Sequence, residues 1–94
     1  MKVSIPVDAG NRTLIDGTLP KTMLAFVEQH RPEGSYFVAE GGQRTGYFFF
    51  DLKDPTSIPT VAEPFFTKLN ASIELTPAMN LEDMKVGVER VFKK

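Results

Sequence analysis

The chain contains no cysteine, which excludes disulfides, thiolate nucleophiles and cysteine-ligated metals. It contains one histidine, His30. Only that side chain titrates near neutrality without perturbation, and no serine–histidine–aspartate set or comparable nucleophile arrangement can be assembled. With no carboxylates at ligand spacing beside the single histidine, the pattern holds no metal site. Asp51-Leu52-Lys53-Asp54-Pro55 is turn chemistry opening a helix. No cofactor fingerprint is present either: Gly10-Asn11-Arg12-Thr13 lacks the glycine spacing of a dinucleotide or phosphate loop.

Charge of either sign in excess is also missing. Eleven basic and twelve acidic residues leave a net charge of −1. Nucleic-acid binders draw most of their affinity from phosphate neutralisation, so this balance argues against them. Arg90, Lys93 and Lys94 instead suit the C-terminal end of a helix dipole. No apolar run approaches the roughly 18 residues of a membrane span, and no basic-then-apolar leader opens the chain. The expectation is a soluble, cytoplasmic protein. Ninety-four residues make one domain, 1–94. A chain of this size buries only about 60–65% of its extended surface, so association would help it.

What is abundant is aromatic residues, and they cluster. Tyr36-Phe37-Val38-Ala39 and Tyr47-Phe48-Phe49-Phe50 flank Gly41-Gly42, a hairpin signal over roughly 35–40 and 44–52. The second run is apolar on both faces, which predicts a strand covered on both sides. Before it, Lys2 to Val7 alternates, with Val3, Ile5 and Val7 on one face. Asp8 to Leu19 reads as a long connection with at most a turn at 12–15, the length of a lid or binding loop. Pro20 opens a helix whose stripe is Met23, Phe26, Val27 and His30, ended by Arg31-Pro32.

Ser57 is the expected cap of a second helix, striped by Ile58, Val61, Ala62, Phe65, Phe66 and Leu69. Pro64 predicts a kink or break in it. Ala71 to Thr76 alternates again. Asn80 and Asp83 mark a third helix striped by Leu81, Met84, Val88 and Val91. The order is that of a ferredoxin-like βαββαβ sandwich with an added C-terminal helix. Its antiparallel sheet is expected in the order 4-1-3-2.

In such a fold helices cover one face of the sheet. Ser4, Ser72, Glu74 and Thr76 then share the bare face with either Tyr47/Phe49 or Phe48/Phe50. An aromatic patch there marks an interface or groove, and two such faces packed across a two-fold axis make a homodimer. This βαββαβ layout resembles the dimeric α+β barrel superfamily, as do the phenylalanine-rich third strand closed by Asp51–Pro55 and the ending Ile73-Glu74-Leu75-Thr76-Pro77-Ala78-Met79. That group includes muconolactone isomerases, antibiotic-biosynthesis monooxygenases and short domains without an assigned activity, and the chain looks most like the last. The resemblance implies a homodimer with a pocket within the barrel or between sheet and helices. It carries over no catalytic residue.

From the residues themselves, Glu74 is either a carboxylate desolvated inside the barrel, and so a general acid or base, or a solvated partner of Lys2. His30 is either its acid–base companion or a packing and capping residue at a helix end. Ser4, Tyr36, Tyr47, Phe49, Ser72 and Thr76 are the expected ligand-binding set. The leading expectation is a homodimer that binds a small, partly apolar organic molecule. The alternatives are a cofactor-independent isomerase or monooxygenase acting on a small aromatic or lactone-type substrate, and an interaction module with no ligand.

Overall fold

The hairpin Gly41-Gly42 turn places both glycines at positive φ, 60° and 76°. That is the type I′ geometry whose twist matches the flanking strands. It joins β2 (Gly34–Glu40) to β3 (Gln43–Phe49) in the computed structural model, which describes residues 1–93. β1 (Lys2–Ile5) pairs with β3 on one side and with the short β4 (Ser72–Glu74) on the other. The result is an open antiparallel sheet in the order β2-β3-β1-β4. This order is the expected one, and the α+β layout is compatible with a ferredoxin-like fold.

The region read as a long connection is instead helix α1 (Val7–Asp16). Pro6 stands directly before it, and Ala9, Gly10 and Thr13 form its buried side. Thr13 satisfies its buried hydroxyl by donating to the Ala9 carbonyl at 2.7 Å. Small residues at i, i+1 and i+4 give little hydrophobic signal, yet they allow close packing. Val7 therefore leaves the strand and is half exposed. Gly17, at φ 86°, turns the chain directly into α2 (Thr18–His30). No lid remains in this segment.

Helix α3 (Ile58–Leu69) runs through Pro64 without interruption, so the expected break is absent. Thr60, whose carbonyl loses its helical donor at Pro64, is exposed and open to water. Ser57 makes no side-chain cap. A short 3-10 turn over Pro55–Ser57 precedes the helix, and Asp54 caps that turn by accepting from the Thr56 N–H at 2.9 Å. Arg31 ends α2 in the left-handed region, φ 45°, before Pro32 as anticipated.

One face of the sheet meets α2 and α3. Val3, Ile5, Phe48, Phe26, Met23, Val61, Phe65 and Leu69 are buried between them. Phe48 contributes most: its ring stacks against Phe26, Phe37 and Phe65 with centroids 4.9, 5.7 and 6.3 Å away. β3 ends at Phe49 rather than Leu52, and Phe50 turns back to pack edge-on against Phe26 at 5.1 Å. The other sheet face has no helix over it. Phe49 there is 42% exposed, so within one chain this strand is covered on a single side only, contrary to expectation.

Helix α4 (Leu81–Phe92) forms as expected, with a full capping box. Asn80 accepts from the Asp83 N–H at 2.8 Å, and Asp83 accepts from the Asn80 N–H at 3.2 Å. None of its residues is buried. Among the described residues no helix is long and apolar enough to cross a membrane.

Candidate functional site

Strand register decides which residues share the bare face. Tyr36 stands opposite Tyr47, Tyr47 opposite Lys2, and Lys2 opposite Glu74, one row across all four strands. The next row is Val38, Thr45, Ser4 and Ser72. Period-two alternation puts Phe49, Gln43 and Glu40 on this side as well. The choice left open between Tyr47/Phe49 and Phe48/Phe50 therefore falls to Tyr47 and Phe49, because Phe48 fills the core on the other side.

Six of the eight predicted site residues lie together on this face: Ser4, Tyr36, Tyr47, Phe49, Ser72 and Glu74. Tyr36 is exposed and edges the Phe49 ring at 6.4 Å. Thr76 lies beyond β4, outside the strand expected to carry it, but it lines the same cleft. β4 stops at Glu74 because Glu74 already stands opposite Lys2, the first residue of its partner β1.

His30 is elsewhere. It packs on Phe26 and Phe50 at 4.8 and 5.8 Å, within the helix layer, so the sheet separates it from Glu74. The structure does not bring these two together as an acid–base pair. His30 sits as a packing residue at a helix end. Glu74 is likewise no desolvated carboxylate: its side chain is 70% exposed and pairs with Lys2 at 3.7 Å. A strand on the sheet edge cannot shield a glutamate from water without a neighbour above it.

Two residues outside the expected set organise the site. The Lys2 ammonium and the Tyr47 hydroxyl both donate to the Glu40 carboxylate. They arch over Thr45, which lies in the row between and is buried beneath them, 3% exposed. Glu40 was legible only as the end of an alternating strand, two and four residues beyond Val38 and Tyr36. Its partners sit on two other strands, so no local pattern announced the cluster.

The hydrogen bond and charge of Lys2, with the Tyr47 hydroxyl, hold the Glu40 carboxyl below its ordinary value. The same contacts raise Lys2, chiefly through its bond to Glu40, and raise Tyr47 by stabilising its protonated, donating form. All three shifts run away from neutrality. The cluster is a set of fixed, compensated charges, suited to holding a polar group rather than exchanging protons at neutral pH.

The Phe49 end of the face opens into a cleft of about 970 Å³. Its apolar walls are Phe49, Leu52, Ile58 and Leu75, with Tyr47 and Thr76 adding hydroxyls. Glu33, Asp51, Glu74 and Asp83 reach its rim, with Lys2 and Met1, whose amino terminus donates to the Phe48 carbonyl at 2.8 Å, as its basic groups. The last of these acids belongs to the first turn of α4. Among the described residues no cluster of three or more histidines or carboxylates could hold a metal ion.

The chain matches no protein-family model, no curated protein and no solved structure.

Proposed function

We propose that the protein is a homodimer, joined through the bare sheet faces as an α+β barrel, that binds a small, partly apolar organic molecule. The ligand lies in the cleft over Tyr47 and Phe49. The observation that carries this reading is the bare face itself. An unhelixed sheet presents Tyr36, Val38 and Phe49 to solvent beside a fixed polar cluster, and it opens into a cleft of ligand size.

Each part of the cleft has a role in this reading. Phe49, Leu52 and Ile58 take the ligand's apolar body. The Tyr47 and Thr76 hydroxyls orient its polar end. Four carboxylates against two ammonium groups, those of Lys2 and Met1, favour a neutral or cationic polar group over an anionic one. The compensated Lys2–Glu40–Tyr47 cluster supports binding above proton transfer.

Two measurements test it. Native mass spectrometry of the purified protein at several concentrations is expected to give a dimer, and a monomer throughout would overturn the assembly. An NMR screen with small aromatic amines and alcohols is expected to shift the backbone amides of Tyr47, Phe49, Glu74 and Thr76. Shifts confined to other parts of the chain would overturn the cleft.

A further inference from the structure

We infer that α4 is an arm exchanged between protomers: its apolar stripe seats on a second copy of this chain, in the groove between that copy's α2 and β2. The inference rests on the homodimer just proposed and names what its C-terminal helix does.

The arm is a finished helix without a seat. Its N-terminus is closed by its own capping box, and Leu81, Met84, Val88 and Val91 recur at helical spacing along one side. Their exposures are 62, 44, 48 and 66%. A twelve-residue helix is marginal in water on its own, so such a stripe calls for a partner surface. The chain's shape agrees: its radius of gyration is 15.7 Å and its long axis 56 Å, whereas a compact chain of this length has a radius of roughly 12 Å.

The seat is the mirror of this deficit. The helix layer stops short of β2, whose last five residues are all exposed. On that side Leu19 and Met23 of α2 face Phe37 and Ala39 of β2 across a groove of about 470 Å³, floored by Gly46. Phe37 is 60% exposed. The groove's one charge is Arg44, which among the described residues donates to Asn11 and has no carboxylate partner.

Topology makes the partner copy the natural host. α4 follows β4 on one edge of the sheet, and the groove lies over β2 on the other. Two sheets face to face across a two-fold parallel to the strands bring each β4 edge over the partner's β2 edge. Packed sheets are about 10 Å apart. The six residues 75–80 span up to about 20 Å, enough to carry α4 around the partner's edge. Area supports the same arrangement. A helix of this length offers a seat about 18 Å long, too little alone for the roughly 800 Å² per partner of a stable interface. With one seat given, one received and the sheet face between them, the interface reaches that order.

The absence of cysteine allows a direct test. A Val88→Cys chain is mixed with an Ala39→Cys chain and joined by a short bis-maleimide. The expected product is an 88-to-39 link between chains, lost when Met84→Glu is added to the arm. In sedimentation, Met84→Glu and Val88→Glu should each weaken dimerisation about a hundredfold or more, because each substitution removes a buried aliphatic side chain from both arms of the dimer. A dimer that forms no 88-to-39 link, or keeps its affinity in both glutamate variants, overturns the arm and leaves the homodimer standing. In a chain that carries both Val88→Cys and Ala39→Cys, an 88-to-39 link formed within that one chain overturns it in favour of self-docking. A monomeric wild-type protein overturns both readings.

Discussion

At the scale of single residues, Glu40 organises the exposed face. It accepts from Lys2 on β1 and Tyr47 on β3, and so ties three strands together above Thr45. Its pKa is depressed in the folded chain relative to its ordinary value of 4.5. A depressed carboxylate contributes stability above its unfolded pKa and loses it as pH falls through the folded one. The expected outcome is that wild-type protein loses melting temperature more steeply below about pH 4.5 than a Glu40→Gln variant. Thermal unfolding across pH 2.5–7 checks it, and parallel curves would show that the cluster contributes nothing. Lys2 has the opposite sign. Its raised value contributes stability below its ordinary 10.5 that fades as pH climbs through the folded pKa. The cluster was only half legible in sequence. Alternation put Lys2, Tyr47 and Glu40 on strand faces, but their meeting depends on a register that no local pattern specifies.

At the scale of elements, the two helices with contrasting fates are α1 and α4. α1 was hidden because its buried side is Ala9, Gly10 and Thr13, residues whose small size carries no hydrophobic period. α4 was plain because cap and stripe are both local. It is held by the cap and little else within one chain, so its end should be sensitive. Asn80→Ala removes the bond that its side chain accepts from the Asp83 N–H, leaving the reciprocal backbone bond, at a cost of about 1 kcal/mol. Amide exchange over residues 81–92 should then quicken about fivefold, with β1 and β3 unaffected. Hydrogen-exchange mass spectrometry reads this, and unchanged α4 exchange would mean that packing, not the cap, holds the helix.

At the scale of the whole molecule, a chain of 94 residues leaves three apolar surfaces uncovered: the bare sheet face, the groove beside β2 and the stripe of α4. A solitary protomer has too little mass to bury them all. Pairing two copies as proposed would cover all three at once, so the proposed homodimer and exchanged arm fit one scheme. Stability is then linked to concentration. The melting temperature should rise by several degrees over a hundredfold increase in protein concentration, followed by scanning calorimetry, and a constant value would speak for a self-sufficient monomer. The cleft belongs to this scale as well: its walls come from the end of β3, the start of α3 and the segment after β4, joined at the first turn of α4.

The sequence by itself determined whatever depends on neighbours within a few residues. The Gly41-Gly42 hairpin, the stripes of α2, α3 and α4, the Asn80 cap and the alternation of β1 and β4 were all of that kind. Chain-order rules then limited the sheet to the order that it adopts. Only the tertiary structure decided which face of β3 is bare and that His30 and Glu74 lie on opposite sides of the sheet. It alone drew Lys2, Tyr47 and Glu40 together, and only it left α4 without a seat on its own chain. These outcomes turn on register and on how much surface one small protomer can cover, and both are set by contacts between residues far apart in sequence.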